Sequence, residues 1–225
     1  MGGTSVGGPS SQTGENHFAV LAFDSINWLI DGFENRPSSG GGAPIQVFCN
    51  THSGISSSPG VMTGVINLGC WDKLIYQYID GAIVVGCYSL NVSTNGSRQS
   101  IRTGGRTRVS NNIVQGGIHV VGPNGANVSD NYIWDFDHIG IAFGPVGAIG
   151  TAYCRDIYCG GNTIIAATPG GSITEIYEGI RVESGLLSGT DVQRVNLGPN
   201  TIINADMVAA SSGGASAGLG AIRPA

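Results

Sequence analysis

The residues best suited to chemistry in this sequence form one short run, Trp134-Asp135-Phe136-Asp137-His138. Alternation along an extended chain would place Asp135 and Asp137 on one side and Phe136 on the other. Two carboxylates could act as general acid and general base on a glycosidic bond. However, glycosidase carboxylates usually come from different repeats, because the scissile bond must lie between them, so a pair within a single turn is better explained as solvated turn residues.

A second acidic group lies in the segment SITEIYEGIRVES, which contains Glu175, Glu178 and Glu183. Glu178 or Glu183 could complement Asp135 or Asp137 as catalytic carboxylates of a polysaccharide-cleaving site. The alternative is that the segment is an inserted loop whose charges face water.

Aromatic side chains provide the flat apolar surfaces on which sugar rings stack. The three indoles, Trp28, Trp71 and Trp134, are therefore the candidate glycan-binding residues. His119 alternates with two apolar neighbours, so we expect it to point away from the core and into solvent.

Neither a metal nor a cofactor is expected. The chain has an odd number of cysteines, and they lie mostly within apolar runs, where they are predicted to be small buried side chains. Cys154 and Cys159 are five residues apart, without the CxxC spacing or the histidine pair typical of zinc sites. No glycine-rich run ends in Lys-Ser or Lys-Thr, so nucleotide binding has no support.

The elements that would position these residues repeat along the chain. A pattern close to Val-x-x-Asn-x-Ile begins at Val109 and recurs with Asn-to-Asn steps of 19, 31 and 38 residues, and Gly-Ile-x-Val or Gly-Ile-x-Phe follows the first three copies. A unit of this size cannot bury its own apolar side chains, so each copy must stack on its neighbours. Asp31-Gly32 and Asp80-Gly81 are turn signals 49 residues apart, the spacing of two repeats of about 20 to 25 residues.

Composition supports the same architecture. Gly accounts for 38 of 225 residues and charged residues for 11%, a mixture that favours short strands joined by tight turns over helices. The net charge of −5, without a basic stripe, argues against a nucleic-acid partner. No apolar run approaches the roughly 18 residues of a membrane span.

The repeated pattern resembles the right-handed parallel β-helix of the pectate-lyase-like superfamily. The resemblance covers residues 18–204 and is strongest over 109–182. It implies an all-β solenoid, with extended arms or caps at 1–17 and 205–225. It also implies that four asparagines stack at a bend and hydrogen-bond the neighbouring repeats: Asn112, Asn131, Asn162 and Asn200.

For an enzyme of the pectate lyase type, the resemblance would imply calcium-binding carboxylates and a basic residue on one face. Four arginines stand beside the starts of repeats, but no acidic triad faces them: Arg108, Arg155, Arg181 and Arg194. The polygalacturonase signatures Asn-Thr-Asp, Asp-Asp and Gly-His-Gly are absent. These observations argue against both classes.

Low charge and a surface rich in Gly, Ser, Thr and Asn make the chain similar to bacteriophage tailspikes and capsid-decorating spikes. We therefore expect a structural virion protein, homotrimeric, whose arms contact capsid or tail proteins and whose surface could adhere to host polysaccharide. The alternative is a tailspike that binds or degrades polysaccharide. Because the sequence opens without a basic and apolar leader, we expect synthesis in the host cytoplasm and a final location in the virion.

Overall fold

The computed structural model describes residues 3–6, 20–23, 28–36, 45–48, 60–70, 75–80, 82–91, 99–136, 139–144, 154–166, 178–182 and 192–205. All regular structure in these ranges is β-strand, and every strand pairing is parallel. The prediction of an all-β fold is confirmed. Over the same ranges there is no helix of the length and apolarity needed to cross a membrane.

The strands, numbered β1 to β22 in chain order, form three sheets. Sheet A contains β1 (Gly3–Val6), β4 (Phe33–Arg36), β7 (Ile66–Cys70), β10 (Tyr88–Asn91), β13 (Ile113–Gln115), β16 (Tyr132–Phe136), β19 (Thr163–Ala166) and β22 (Thr201–Ile203). Sheet B contains β2 (Val20–Phe23), β5 (Ile45–Phe48), β8 (Ile75–Asp80), β11 (Gln99–Gly104), β14 (Gly117–Val121), β17 (Ile139–Gly144) and β20 (Glu178–Val182). Sheet C contains β3 (Trp28–Asp31), β6 (Gly60–Thr63), β9 (Ala82–Val85), β12 (Arg108–Ser110), β15 (Asn127–Ser129), β18 (Cys154–Gly160) and β21 (Val192–Leu197).

The strand order has one rule throughout: each strand pairs with the strand three places before it and the strand three places after it. The chain therefore passes from sheet A to B to C and back to A in constant rotation. One such pass is called a repeat below.

A single apolar core lies between the three sheets. In the strands whose side chains the structure describes, alternate residues point into it and stack on the equivalent residue of the next repeat. Sheet A contributes Val114, Ile133 and Ile164; sheet B contributes Ile118, Ile141 and Ile180; sheet C contributes Val84, Val109, Val128 and Cys159. Burial of these stacked side chains removes apolar area from water, which stabilises the fold by roughly 25 cal/mol for each Å² buried.

The connection from sheet C to sheet A is short in every repeat, one to three residues between the strand bounds. In six repeats its first residue has a positive φ between 56° and 72°, and it is Gly, Asn or Asp: Gly32, Gly64, Gly86, Asn111, Asp130 and Gly161. These are the residue types that adopt the left-handed region at least cost. The residue that follows turns inward, as Val65, Cys87 and Asn112 do.

The glycine that opens the Gly-Ile-x-Val pattern allows close approach of two repeats. A Cβ on Gly117 would lie 2.4 Å from the backbone oxygen of Ile139 in the next repeat, and one on Gly140 would lie 2.7 Å from the oxygen of Gly179. No larger residue fits without moving the backbone.

One expectation for the N-terminal half differs from the structure. The Asp-Gly echo is not a structural repeat, because Asp31 ends a strand of sheet C whereas Asp80 ends a strand of sheet B. Strand β1 lies within 1–17, the segment predicted as an arm, and pairs with β4. Of the predicted C-terminal segment 205–225, only Ala205 is among the described residues.

Candidate functional site

The Trp134-Asp135 pair lies at the corner where sheet A passes into sheet B. Trp134 is half-buried on the outer face of sheet A, in register with Gln115 and Ile165. The register shifts between Trp134 and Phe136, and Asp135 in this bulge has a positive φ of 51°. The side-chain amide of Gln115 donates a hydrogen bond to the Asp135 carboxylate. Asp135 is thus held against the preceding repeat.

Glu178 lies at the same corner, one repeat later. It is the first residue of β20, is buried, and is in register with Ile139 of β17. The Arg181 guanidinium forms an ion pair with its carboxylate. The fold therefore brings Asp135 and Glu178 to one corner on adjacent repeats, each already engaged by another side chain.

The structure describes only some of the remaining predicted site residues. Asp137 and Glu183 lie outside the described residues, as does Trp71. Trp28 begins β3 in sheet C, in register with Gly60, so its backbone is on a different sheet from Trp134. The structure does not bring these two candidate glycan-binding indoles onto one sheet.

The outer face of sheet B carries a row of basic side chains that sequence reasoning did not assemble. Arg102, His119, Ala142 and Arg181 occupy equivalent positions in four successive strands. Arg102 and Arg181 are half-buried. We call Arg102, His119 and Arg181 the basic row. Alternation in each strand was a usable signal, but only the register between strands shows that these positions align.

His119 corrects one expectation. Its neighbours Ile118 and Val120 are in the core, so the predicted direction of its side chain is right. However, only 6% of its surface is exposed, so the prediction that it faces solvent is wrong. Alternation gives the direction in which a side chain points, whereas exposure depends on what lies over that side of the sheet.

Every connection longer than three residues begins or ends at sheet B. The connection between β19 and β20 spans 167–177, and the one between β20 and β21 spans 183–191. The connections from sheet C to sheet A stay short in all repeats. Variation in length is therefore concentrated at the two borders of the sheet that carries the basic row.

The four predicted ladder asparagines lie in one column at the corner between sheets C and A. The Asn131 side-chain oxygen accepts bonds from the backbone and side-chain amides of Asn112, at 3.1 and 3.0 Å. Asn162 accepts the same pair from Asn131, and Asn200 accepts it from Asn162, at 2.9 to 3.1 Å. Each side-chain amide also donates to a backbone oxygen of the preceding repeat, as Asn131 does to Val109 at 3.0 Å. At the start of the column, the Cys87 amide donates to Asn112.

The other arginines beside the repeats serve local contacts on sheet C. Arg194 and Asp156 both have positive φ, at 51° and 56°, and form a two-contact ion pair across adjacent strands. The hydrogen bonds from Arg194 lower the pKa of Asp156 below its ordinary value. Arg155 donates to the side-chain oxygen of Asn124 at 2.8 Å.

The described cysteines are structural. Cys87, Cys154 and Cys159 are buried, as predicted for small apolar side chains. Burial raises the pKa of Cys87 to about 11 and that of Cys159 to about 12, which keeps both thiols neutral and unreactive at ordinary pH. Among the described residues, no three His, Cys, Asp or Glu side chains are grouped as metal ligands would be.

Comparison with known proteins adds no relative. No protein-family model, no curated sequence and no solved structure matches this chain.

Proposed function

We propose that this chain is a structural protein of a bacteriophage virion, a right-handed parallel β-helix that serves as a spike or as a capsid or tail decoration. In this proposal it assembles as a homotrimer, contacts capsid or tail proteins through its terminal segments, and holds host-surface polysaccharide on the outer face of sheet B.

The rotation of the chain through three parallel sheets supports the β-helix. Pairing of every strand with the third strand on either side is the connectivity of a solenoid with three strands per turn. The stacked core and the asparagine column continue from one repeat to the next, as successive turns require.

The basic row is the observation that carries the adhesive function. The two half-buried guanidinium groups of the row, those of Arg102 and Arg181, suit an extended chain with repeated carboxylates or sulfates, because guanidinium pairs with such groups through two parallel hydrogen bonds. Long connections at both borders of sheet B could select among such chains, since inserted loops commonly carry binding function.

A titration with acidic and neutral capsular polysaccharides tests this proposal. We expect acidic chains to bind, with an affinity that falls as salt is added. Arg102→Ala combined with Arg181→Ala should weaken binding at least tenfold. Arg108→Ala is the matched control, since Arg108 is an exposed, outward arginine on sheet C. If no acidic polysaccharide binds, or if both substitutions are without effect, the adhesive function is wrong; antibodies against the chain should also label intact phage particles.

The second candidate function is polysaccharide cleavage. It is favoured by the position of Asp135 and Glu178 at one corner on adjacent repeats, beside the basic row. New reducing ends after incubation, lost in Asp135→Asn and Glu178→Gln variants that still bind, would establish this activity. Binding without new reducing ends would leave the protein as an adhesin.

A further inference from the structure

Arg181 of the basic row is held by a carboxylate of its own strand. Its Nε donates a hydrogen bond to the Glu178 carboxylate, three residues earlier in β20, and the two groups form an ion pair. The Glu178 side chain is 10% exposed, whereas the Arg181 side chain is 28% exposed. The carboxylate is therefore the more deeply buried end of the pair, and the cation is the end that water and ligands reach.

The backbone around Glu178 is fixed by packing. Gly179 follows it and is buried, and a Cβ on Gly179 would lie 2.8 Å from Cγ2 of Ile202 in β22. Ile180, the next residue, lies in the core in register with Ile141 of β17. Because these neighbours leave the backbone little room to move, Glu178 offers its carboxylate from a rigid support.

A second arginine–carboxylate pair provides a comparison within the same chain. Arg194 and Asp156 pair on sheet C with 63% and 41% of their side chains exposed. Exposed ion pairs contribute little, because water competes for both partners and two long side chains must be ordered. The pair of Glu178 and Arg181 is better shielded, so its hydrogen bond restrains the arginine more strongly.

We infer that Glu178 is a positioning residue, which holds the Arg181 guanidinium in the orientation that binds a carboxylate or sulfate of the polysaccharide. Nε is the guanidinium nitrogen nearest the backbone, so the edge formed by the two terminal nitrogens lies on the far side of the group. Two parallel donors on that edge match two oxygens of one carboxylate or sulfate. An arginine that is already held loses less rotamer freedom when the ligand arrives, which favours binding.

The inference rests on the proposed adhesive function and names the residue that orients one of its two arginines. Glu178→Gln and Glu178→Ala both remove the negative charge, but glutamine keeps an oxygen that can accept the hydrogen bond from Nε. The difference in affinity between these two variants therefore measures orientation and not charge. Asp156→Asn is the matched control, because it removes the same charge from an arginine partner on sheet C, and asparagine tolerates the φ of 56° at this position.

The experiment titrates polygalacturonate, which carries carboxylates, and dextran sulfate into the full-length protein. The samples are the wild type, Glu178→Gln, Glu178→Ala and Asp156→Asn, together with both Glu178 variants combined with Arg181→Ala. We expect Glu178→Gln to bind at least threefold more tightly than Glu178→Ala. With Arg181→Ala the two should bind equally, because no guanidinium remains to be oriented. Asp156→Asn should bind within twofold of the wild type, and urea denaturation gives the folded fraction of each sample.

The outcomes separate this inference from the adhesive function. If the wild type binds but Glu178→Gln and Glu178→Ala bind equally well per folded molecule, the ion pair serves stability alone; the inference is then wrong and adhesion by sheet B stands. The same conclusion follows if the difference persists with Arg181→Ala, or if Asp156→Asn changes the affinity as much as the two Glu178 variants differ. A wild type that binds neither polysaccharide would contradict adhesion and the inference together.

Discussion

The side-chain oxygen of Asn131 accepts two hydrogen bonds from one residue, the backbone amide and the side-chain amide of Asn112, at 3.1 and 3.0 Å. Both residues are buried, at 2% and 1% exposure. A single side chain therefore satisfies polar groups of a neighbouring repeat that no water reaches. The same kind of hydrogen bond links successive repeats at the corner between sheets C and A, from Cys87 to Asn200.

Asn131→Ala should lower the free energy of unfolding by about 3 kcal/mol, because it removes the side-chain acceptor of the buried Asn112 backbone amide and the hydrogen bonds from Asn131 to Val109 and to Asn162. Asn200→Ala should cost about 1 kcal/mol, since Asn200 is only partly buried at the end of the column. Urea titration of both variants checks the difference. Equal losses at the two positions would mean that the burial of an asparagine does not determine how much its hydrogen bonds contribute to stability.

The substitutions Gly117→Ala and Gly86→Ala distinguish two structural reasons for a glycine, close packing against the next repeat and a positive φ. At Gly117 the new methyl group would meet the backbone oxygen of Ile139 at 2.4 Å, so we expect a loss of about 3 kcal/mol. At Gly86 nothing lies within 4 Å, and only the positive φ of 65° opposes the substitution, at about 1 kcal/mol. Thermal unfolding ranks the two variants. A Gly86 variant less stable than the Gly117 variant would contradict the close approach of the repeats.

Arg194 provides a complementary test of backbone conformation on the surface. Arg194→Ala removes the ion pair with Asp156 and keeps a side chain at a φ of 51°, whereas Arg194→Gly removes the pair and relieves the conformation. The glycine variant should therefore be the more stable of the two by about 1 kcal/mol. Chemical denaturation at two salt concentrations measures this, and the difference should not depend on salt. If alanine proves equal to glycine, the left-handed conformation carries no cost.

Stability should fall in alkaline solution because of the buried thiols. Folding raises the pKa of Cys87 from 9.0 to about 11 and that of Cys159 from 9.0 to about 12. Below pH 9 both thiols are protonated in the folded and in the unfolded chain, so their full contribution to the free energy of unfolding is present. As the pH rises above 9, the unfolded chain loses protons that the folded chain keeps, so the free energy of unfolding falls by about 1.4 kcal/mol per unit for each thiol.

Urea denaturation at several pH values above 9 measures that slope. Cys87→Ala and Cys159→Ala should each be less stable at neutral pH but lose less stability on going alkaline. The double variant is the control for tyrosine and lysine ionisation. A wild type and double variant with the same alkaline slope would show that these thiols already ionise normally in the folded chain.

The asparagine pattern predicted the C-terminal repeats better than the N-terminal ones, and the structure gives the reason. At the inward position after the left-handed residue, Asn112, Asn131 and Asn162 bond their neighbours, whereas Val65 and Cys87 pack into the core. An apolar residue at this position has no signature that distinguishes it from any other core residue. The sequence pattern therefore does not align the earlier repeats, and the Asp-Gly match pairs Asp31 of sheet C with Asp80 of sheet B.

The candidate site was harder to predict than the fold. The run around Asp135 is recognisable because its residues are adjacent in sequence. The basic row joins residues 17 and 62 positions apart, as the pairs Arg102 with His119 and His119 with Arg181 show, and connections of unequal length hide that alignment.

Pairing only with the third strand on either side also determines how the molecule would respond to mechanical load. Among the strands that the structure describes, none is paired with a strand two repeats away, so these sheets contain no long-range cross-link. A chain pulled at its ends would detach from one terminus, one repeat after another. Near the C-terminus these steps would release lengths set by the spacing of the asparagines, 38, then 31, then 19 residues.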